Sequence, residues 1–224
     1  MDYAFYLACQ AVALVVGIVV HESAHALAAY LLGDRTARDQ GRISFNPLRH
    51  VDPFGTVILP LVMIALGGPV FAFAKPVPFN PRALRNPRRD ELVIAVAGPA
   101  SNLLVAIAST LAMRAMVALI DPGAAPDAVF ALFAGMQVLA LVNLSLAFFN
   151  LIPLPPLDGS SILAPLLKGD ALRTYYRVQR YSMPILLVVL YLLPSVFRVD
   201  VVGAYFDVTV YPLFDLLMNF AYLG

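Results

Sequence analysis

The chain has 224 residues, of which 61% are apolar and 13% charged, and its net charge is +1. A soluble domain carries about half apolar and a quarter charged residues, so this balance excludes an ordinary soluble globule. The small net charge gives no general nucleic-acid signal, and the single cysteine, Cys9, excludes both an internal disulfide framework and a Cys-ligated zinc site.

The first apolar run predicts a helix from about Tyr3 to Leu32, with Gly33 as its C-cap. It lacks a basic leader and continues through charged residues, so a cleaved signal peptide is not expected. Residues 33–53 form a polar loop with Arg35, Arg38, Arg42 and Arg49, in which Arg42-Ile43-Ser44-Phe45 reads as a short strand. Residues 54–73 are apolar but broken by Gly67-Gly68-Pro69. A second basic loop covers 75–90; Phe-Asn-Pro occurs in both loops, at 45–47 and 79–81, and reads as shared turn chemistry. Residues 91–120 and 128–149 are long enough to span a bilayer, with an acidic turn at 121–127 between them. The second of these runs into Asn150-Leu151-Ile152-Pro153-Leu154-Pro155-Pro156-Leu157-Asp158-Gly159. A third basic loop, 168–180, precedes a shorter span at 183–197, and 201–223 reads as a tilted span or an interfacial helix.

Lys and Arg concentrate on cytoplasmic loops, which puts the three basic loops inside and the acidic turn outside. Alternation then works for 3–32, 91–120, 128–150 and 183–197, but fails for 54–73, whose flanks are both basic. That segment is therefore expected to dip in and return, lining a watery cavity or buried in protein.

Within the first helix stands His21-Glu22-Ser23-Ala24-His25. Two His four apart share one face, about 6 Å apart along the axis, and can hold one Zn²⁺ through their ring nitrogens. Glu22, beside them, can take a proton from a metal-bound water. The alternative is a helix end whose polar residues snorkel to the interface. Depth opposes it: His25 lies about 10 Å inside the helix end, where an acid costs about 2.5–3.5 kcal/mol. Ionisable residues at such depth default to function.

A catalytic zinc needs three protein ligands and an open position. Glu91 reads as a first-turn carboxylate facing a helix dipole. His50, the one His outside the motif, lies in a polar loop; position 31 is Leu where another class places a third His. Asp158 is the better candidate. It is the single acid between Asp127 and Asp170, and it follows three prolines that unwind the backbone and let a side chain turn inward. Zn²⁺ with two neutral imidazoles, Asp158 and Glu22 also sums to zero charge. The alternative for Leu-Asp-Gly is a polar turn at the membrane surface.

Three blocks, His21 to His25, Gly98-Pro99-Ala100-Ser101-Asn102, and Asn150 through Asp158-Gly159, resemble in order and spacing the site-2 protease family of intramembrane metalloproteases. The resemblance covers about residues 5–170. It implies one Zn²⁺ bound by His21, His25 and Asp158, Glu22 as base, a role for Asn150 near the substrate or transition state, and a transmembrane protein substrate cut within or near the bilayer. Gly98 and Asn102 serve either helix packing or a direct role.

The resulting expectation is an all-α integral membrane protein with a three-helix catalytic core, additional transmembrane or re-entrant helices and a short cytoplasmic-side β element. It forms a single multi-pass domain over 1–224, with the core at about 3–170 and C-terminal helices at 181–224. No PDZ or nucleotide-sensing domain is expected. The expected location is a cell membrane, prokaryotic, with the site nearer the cytoplasmic face; a homodimer is left open. The rivals are a zinc transporter or zinc-stabilised binding module, against which the ionisable residues converge at one depth, and a pseudo-enzyme, against which Glu22 is intact.

Overall fold

The computed structural model describes residues 3–52, 77–119 and 126–222, with the isolated positions 58 and 75. The expected dip at 54–73 and most of the acidic turn lie outside the described residues. Those residues form helices α1 (Tyr3–Leu31), α2 (Thr36–Asp39), α3 (Pro87–Leu119), α4 (Asp127–Asn150), α5 (Asp158–Leu163), α6 (Gly169–Gln179), α7 (Ser182–Leu187) and α8 (Val201–Tyr222). A π-helical stretch, Val188–Phe197, continues α7.

Four of these, α1, α3, α4 and α8, are long and apolar enough to cross a membrane. The protein is therefore a multi-pass membrane protein. Helices α1, α3 and α4 pack on one another, and α8 packs on α3 and α4. Their contacts run through small residues: Ala26, Ala29, Ala106, Ala140, Ala147 and Ala221 are all fully buried. In lipid, close approach of small residues is what drives helices together. Large apolar side chains such as Leu104, Leu132 and Val208 point outward, where acyl chains would meet them.

The helix ends follow local chemistry. Gly33 has φ 112° and closes α1, with Gly33 N–H on Tyr30 O (3.1 Å) and Asp34 N–H on Ala29 O (2.9 Å). This is the paired bond pattern of a Schellman cap, as the sequence predicts. Helix α3 begins at Pro87, four residues earlier than predicted, because Pro is pre-organised for a first helical position and Asp90 accepts the Asn86 N–H at 2.8 Å. Both Phe-Asn-Pro segments make the same turn: Asn46 Oδ1 accepts from Leu48 N–H (3.0 Å), and Asn80 Oδ1 from Arg82 N–H (3.1 Å).

Three expectations change. No strand forms among the described residues, and 42–46 is irregular. Its polar groups go to local partners instead of a ladder: Arg42 N–H bonds Ala37 O at 2.9 Å, and Ser44 O accepts from Ser23 Oγ (2.8 Å) and His50 Nε2 (2.7 Å). The third basic loop is the helix α6, whose Leu172, Tyr175 and Gln179 form a half-buried stripe beneath exposed Arg173 and Arg177. That is a helical period the charges obscure.

Finally, 182–197 adds no net crossing. Tyr205 Oη donates to Phe148 O at 3.2 Å, near the C-terminal end of α4. At the other end Tyr222 stacks on Phe133 with ring centroids 5.5 Å apart, and Arg114 donates to Phe220 O at 2.8 Å. Helix α8 thus runs antiparallel to α4, and residues 151–200 begin and end at one end of the bundle. This is also the end at which Arg88 of the second basic loop binds Pro165 O at 2.7 Å.

A candidate metal centre at the end of the helix bundle

His21 and His25 lie one turn apart on α1 and are both buried. Their Nε2 atoms are 3.0 Å from each other and 2.9 and 3.2 Å from Asp158 Oδ2. Asp158 arrives from a different part of the chain. Pro153, Pro155 and Pro156 end α4 in a run of tight turns, closed by Leu154 N–H on Ile152 O (2.8 Å) and Leu157 N–H on Leu154 O (3.0 Å), and Asp158 then opens α5 facing α1. Gly159 makes the tight return possible: a β-carbon there would fall 2.5 Å from Ile152 O.

The outer nitrogens of both rings are occupied. His21 Nδ1 lies 2.6 Å from Asn102 Oδ1, and His25 Nδ1 lies 2.7 Å from Ile94 O. Oxygens of this kind only accept, so each neutral ring carries its proton on Nδ1 and presents a bare Nε2. Asp158 Oδ2 is a buried oxygen without a hydrogen-bond partner. With both rings neutral, three lone-pair atoms converge, a mutual repulsion that a cation at the centre relieves. Donors held tetrahedrally around Zn²⁺ at its usual bond lengths are about 3.3 Å apart. The observed separations of 2.9–3.2 Å fit that ion to within a few tenths of an ångström. Among the described residues, His21, His25 and Asp158 form the one group of three suited to a metal.

Glu22 is half-buried, within electrostatic range of His21, His25, Asp158 and Arg42. Among the described residues no hydrogen bond engages its carboxylate. Arg42 is buried in the loop above and donates to Arg49 O and Lys75 O. Burial lowers its pKa from the usual arginine value, and the charge of Glu22 works the other way.

The remaining candidates fall elsewhere. His50 is buried and bonds Ser44 O, outside the triad. Glu91 is no part of the triad either. Asn150 is the last residue of α4, and its Nδ2 donates to Leu146 O of its own helix at 2.9 Å. The structure does not join it to the triad.

Gly98, for which helix packing and a direct role were both open, and Asn143, which the sequence did not single out, complete the surroundings of the two rings. Gly98 lies against both rings, so that a β-carbon would be 2.6 Å from His25 Cε1 and 2.7 Å from His21 Cε1. Asn143, on α4, bonds Asn102. The signal for Asn143 was an amide within an apolar span, which is costly unless it is used.

Bilayer-length helices enclosing a His-Glu-x-x-His segment define a membrane-embedded metallopeptidase. The chain belongs to peptidase family M50, whose family model matches residues 9–119 and 109–193. It is 36% identical over 179 residues to "Putative zinc metalloprotease YwhC" of Bacillus subtilis, covering 79% of this chain and 77% of that protein. It is 32% identical to "Putative zinc metalloprotease Rip2" of Mycobacterium tuberculosis, covering 90% and 71%. The Mycolicibacterium smegmatis protein of the same name is 30% identical, covering 92% and 73%. No solved structure gives a significant match. The resemblance to the site-2 proteases drawn from three short blocks therefore extends over most of the chain.

Proposed function

We propose that this peptidase is a zinc-dependent intramembrane endopeptidase that cleaves transmembrane segments of other membrane proteins. The observation that carries the reading is the convergence of His21 Nε2, His25 Nε2 and Asp158 Oδ2 within 3.2 Å of one another. The names of the relatives support zinc as the ion. His21, His25 and Asp158 would hold it. When bound there, Zn²⁺ supplies Lewis acidity that polarises the scissile carbonyl and acidifies a water.

The chain's own residues do the rest. Glu22 removes a proton from the attacking water as the new C–O bond forms, then delivers it to the amide nitrogen as the C–N bond breaks. Asn150 uses one Nδ2 hydrogen on Leu146 O and keeps a second, which would donate to the oxyanion as it develops. Burial of the triad strengthens each of these interactions, since little water competes for them. A helical substrate hides its peptide bonds, so it must unwind locally; the proline-broken segment 153–157, itself not helical, is the surface against which it would do so. The segment at 42–46 is less suited than its sequence implies, because Ser44 O is already occupied. The basic loops share the end of the bundle to which the prolines lead, which supports a cytoplasmic-side site in a cell membrane.

Glu22→Gln tests the reading. Purified and reconstituted with a membrane-protein substrate, the variant should retain its fold and its zinc and lose cleavage. Retained cleavage would remove Glu22 from the role of base.

A further inference from the structure

Helices α1, α3 and α4 share a buried chain of amide groups that ends on His21. Asn143 Nδ2 donates to Leu139 O at 2.9 Å. A carbonyl only accepts, so Asn143 must turn its Oδ1 the other way. Asn102 Nδ2 spends its two hydrogens on that Oδ1 (2.8 Å) and on Gly17 O (3.1 Å). Its own oxygen is thereby forced toward His21 Nδ1, at 2.6 Å. Both Asn side chains are completely buried, so no water can substitute for a lost partner.

We infer that Asn102 and Asn143 form a relay that locks His21 as its Nδ1–H tautomer and aims a bare Nε2 at the metal position. Asn102 is then a positioning residue for the metal site, and Asn143 positions Asn102. The inference rests on the proposed reading of His21 as a ligand. Two independent carbonyls, on two helices, dictate the direction of the relay, and flipping either amide would set like groups face to face. Gly17 leaves the room it needs: a β-carbon would lie 3.1 Å from Asn143 Oδ1 and 2.5 Å from Leu146 Cδ1. The two ligands also differ. His25 is oriented by the Ile94 backbone carbonyl, which side-chain substitution does not delete, whereas the orientation of His21 depends on two side chains. Outer partners of metal-bound His typically change metal affinity by about 10–100-fold.

The test uses the full chain in nanodiscs, with ¹⁵N-labelled histidine and ¹¹³Cd in place of zinc. The relay requires the metal to couple to Nε2 of His21 and His25, with the His21 proton on Nδ1. Coupling to His21 Nδ1 overturns the relay and leaves the ligand reading intact; coupling to neither ring overturns both. In parallel, zinc affinity is read by competition with a chelator. Asn102→Leu should weaken zinc by about 10–100-fold, and Asn102→Asp, which keeps an oxygen facing Nδ1 and replaces Nδ2 as a donor to Asn143 Oδ1 or Gly17 O when its buried carboxyl is protonated, should recover part of that loss. Equal losses in the two variants, or wild-type affinity in Asn102→Leu, would reduce Asn102 to packing and end the proposal. Should Asn102→Leu fail to fold, the wild-type spectrum decides alone.

Discussion

Gly98 lies so close to His25 that a β-carbon at position 98 would fall 2.6 Å from Cε1 of the imidazole. The glycine is therefore part of the shape of the candidate metal site as well as of the α1–α3 contact. Gly98→Ala should preserve helix content, cost about 1–3 kcal/mol through overpacking, and displace both rings. Zinc content measured on the purified variant should fall well below one ion per chain. A full complement of zinc would show that the rings can yield without cost.

Removal of a ligand should exceed the loss from removal of an outer partner. His25→Ala and Asp158→Ala are each expected to weaken zinc by more than about a hundredfold, and a strong chelator should inactivate the wild type until zinc is restored. Zinc binding unchanged in Asp158→Ala would return the third ligand to open question and free that carboxylate for another role.

Asp34 makes a prediction about acid. The side chain is buried between the first two basic loops, where Oδ1 accepts from Thr36 N–H (2.9 Å) and Thr36 Oγ1 (2.6 Å), and Oδ2 accepts from Asn80 N–H (2.6 Å). Burial alone would raise its pKa, but the bonds from the Thr36 hydroxyl and from the Asn80 and Thr36 backbone outweigh it and hold the carboxyl below the ordinary value. The unfolded chain therefore takes up this proton first on acidification. The stability Asp34 contributes is complete above about pH 4 and is lost as pH falls through the depressed native value. Asp34→Ala should cost about 1–3 kcal/mol at neutral pH, and the gap in melting temperature from wild type should close on the acid side. A gap independent of pH down to pH 3 would contradict the assignment.

The antiparallel relation of α4 and α8 fixes which side the C-terminal connections occupy. With Cys9 replaced by Ala, single cysteines at Arg177 and Asp200 should both react with an impermeant thiol reagent from the same face. Reaction from opposite faces would mean that 182–197 crosses after all.

The grouping of His21, His25 and Asp158 was legible in the sequence because its letters are scarce. With three His and two Glu in the chain, the motif at 21–25 stood out, and Asp158 followed from the prolines before it. Turn chemistry was equally local, which is why Gly33 and the two Asn-Pro turns were read correctly. What the sequence concealed depends on partners far along the chain. Ile94 serves His25 with a backbone oxygen, which any residue type would offer. The helix at 169–179 was masked by its charges, and the short strand at 42–46 was inferred without a partner to pair with. The direction of α8 is written in contacts such as Tyr205 with Phe148, which no local pattern encodes.

The distance along the chain between the motif and Asp158 has a consequence for biogenesis. His21 and His25 leave the ribosome together on the first helix, whereas Asp158 follows only after α3 and α4 have been made. With Asp158 as the third ligand, a nascent chain has half-formed metal chemistry and no competent protease until the core bundle has been threaded and its proline-broken end has folded back. Order of synthesis thus keeps Asp158 apart from the two imidazoles until the helices that bring them together exist.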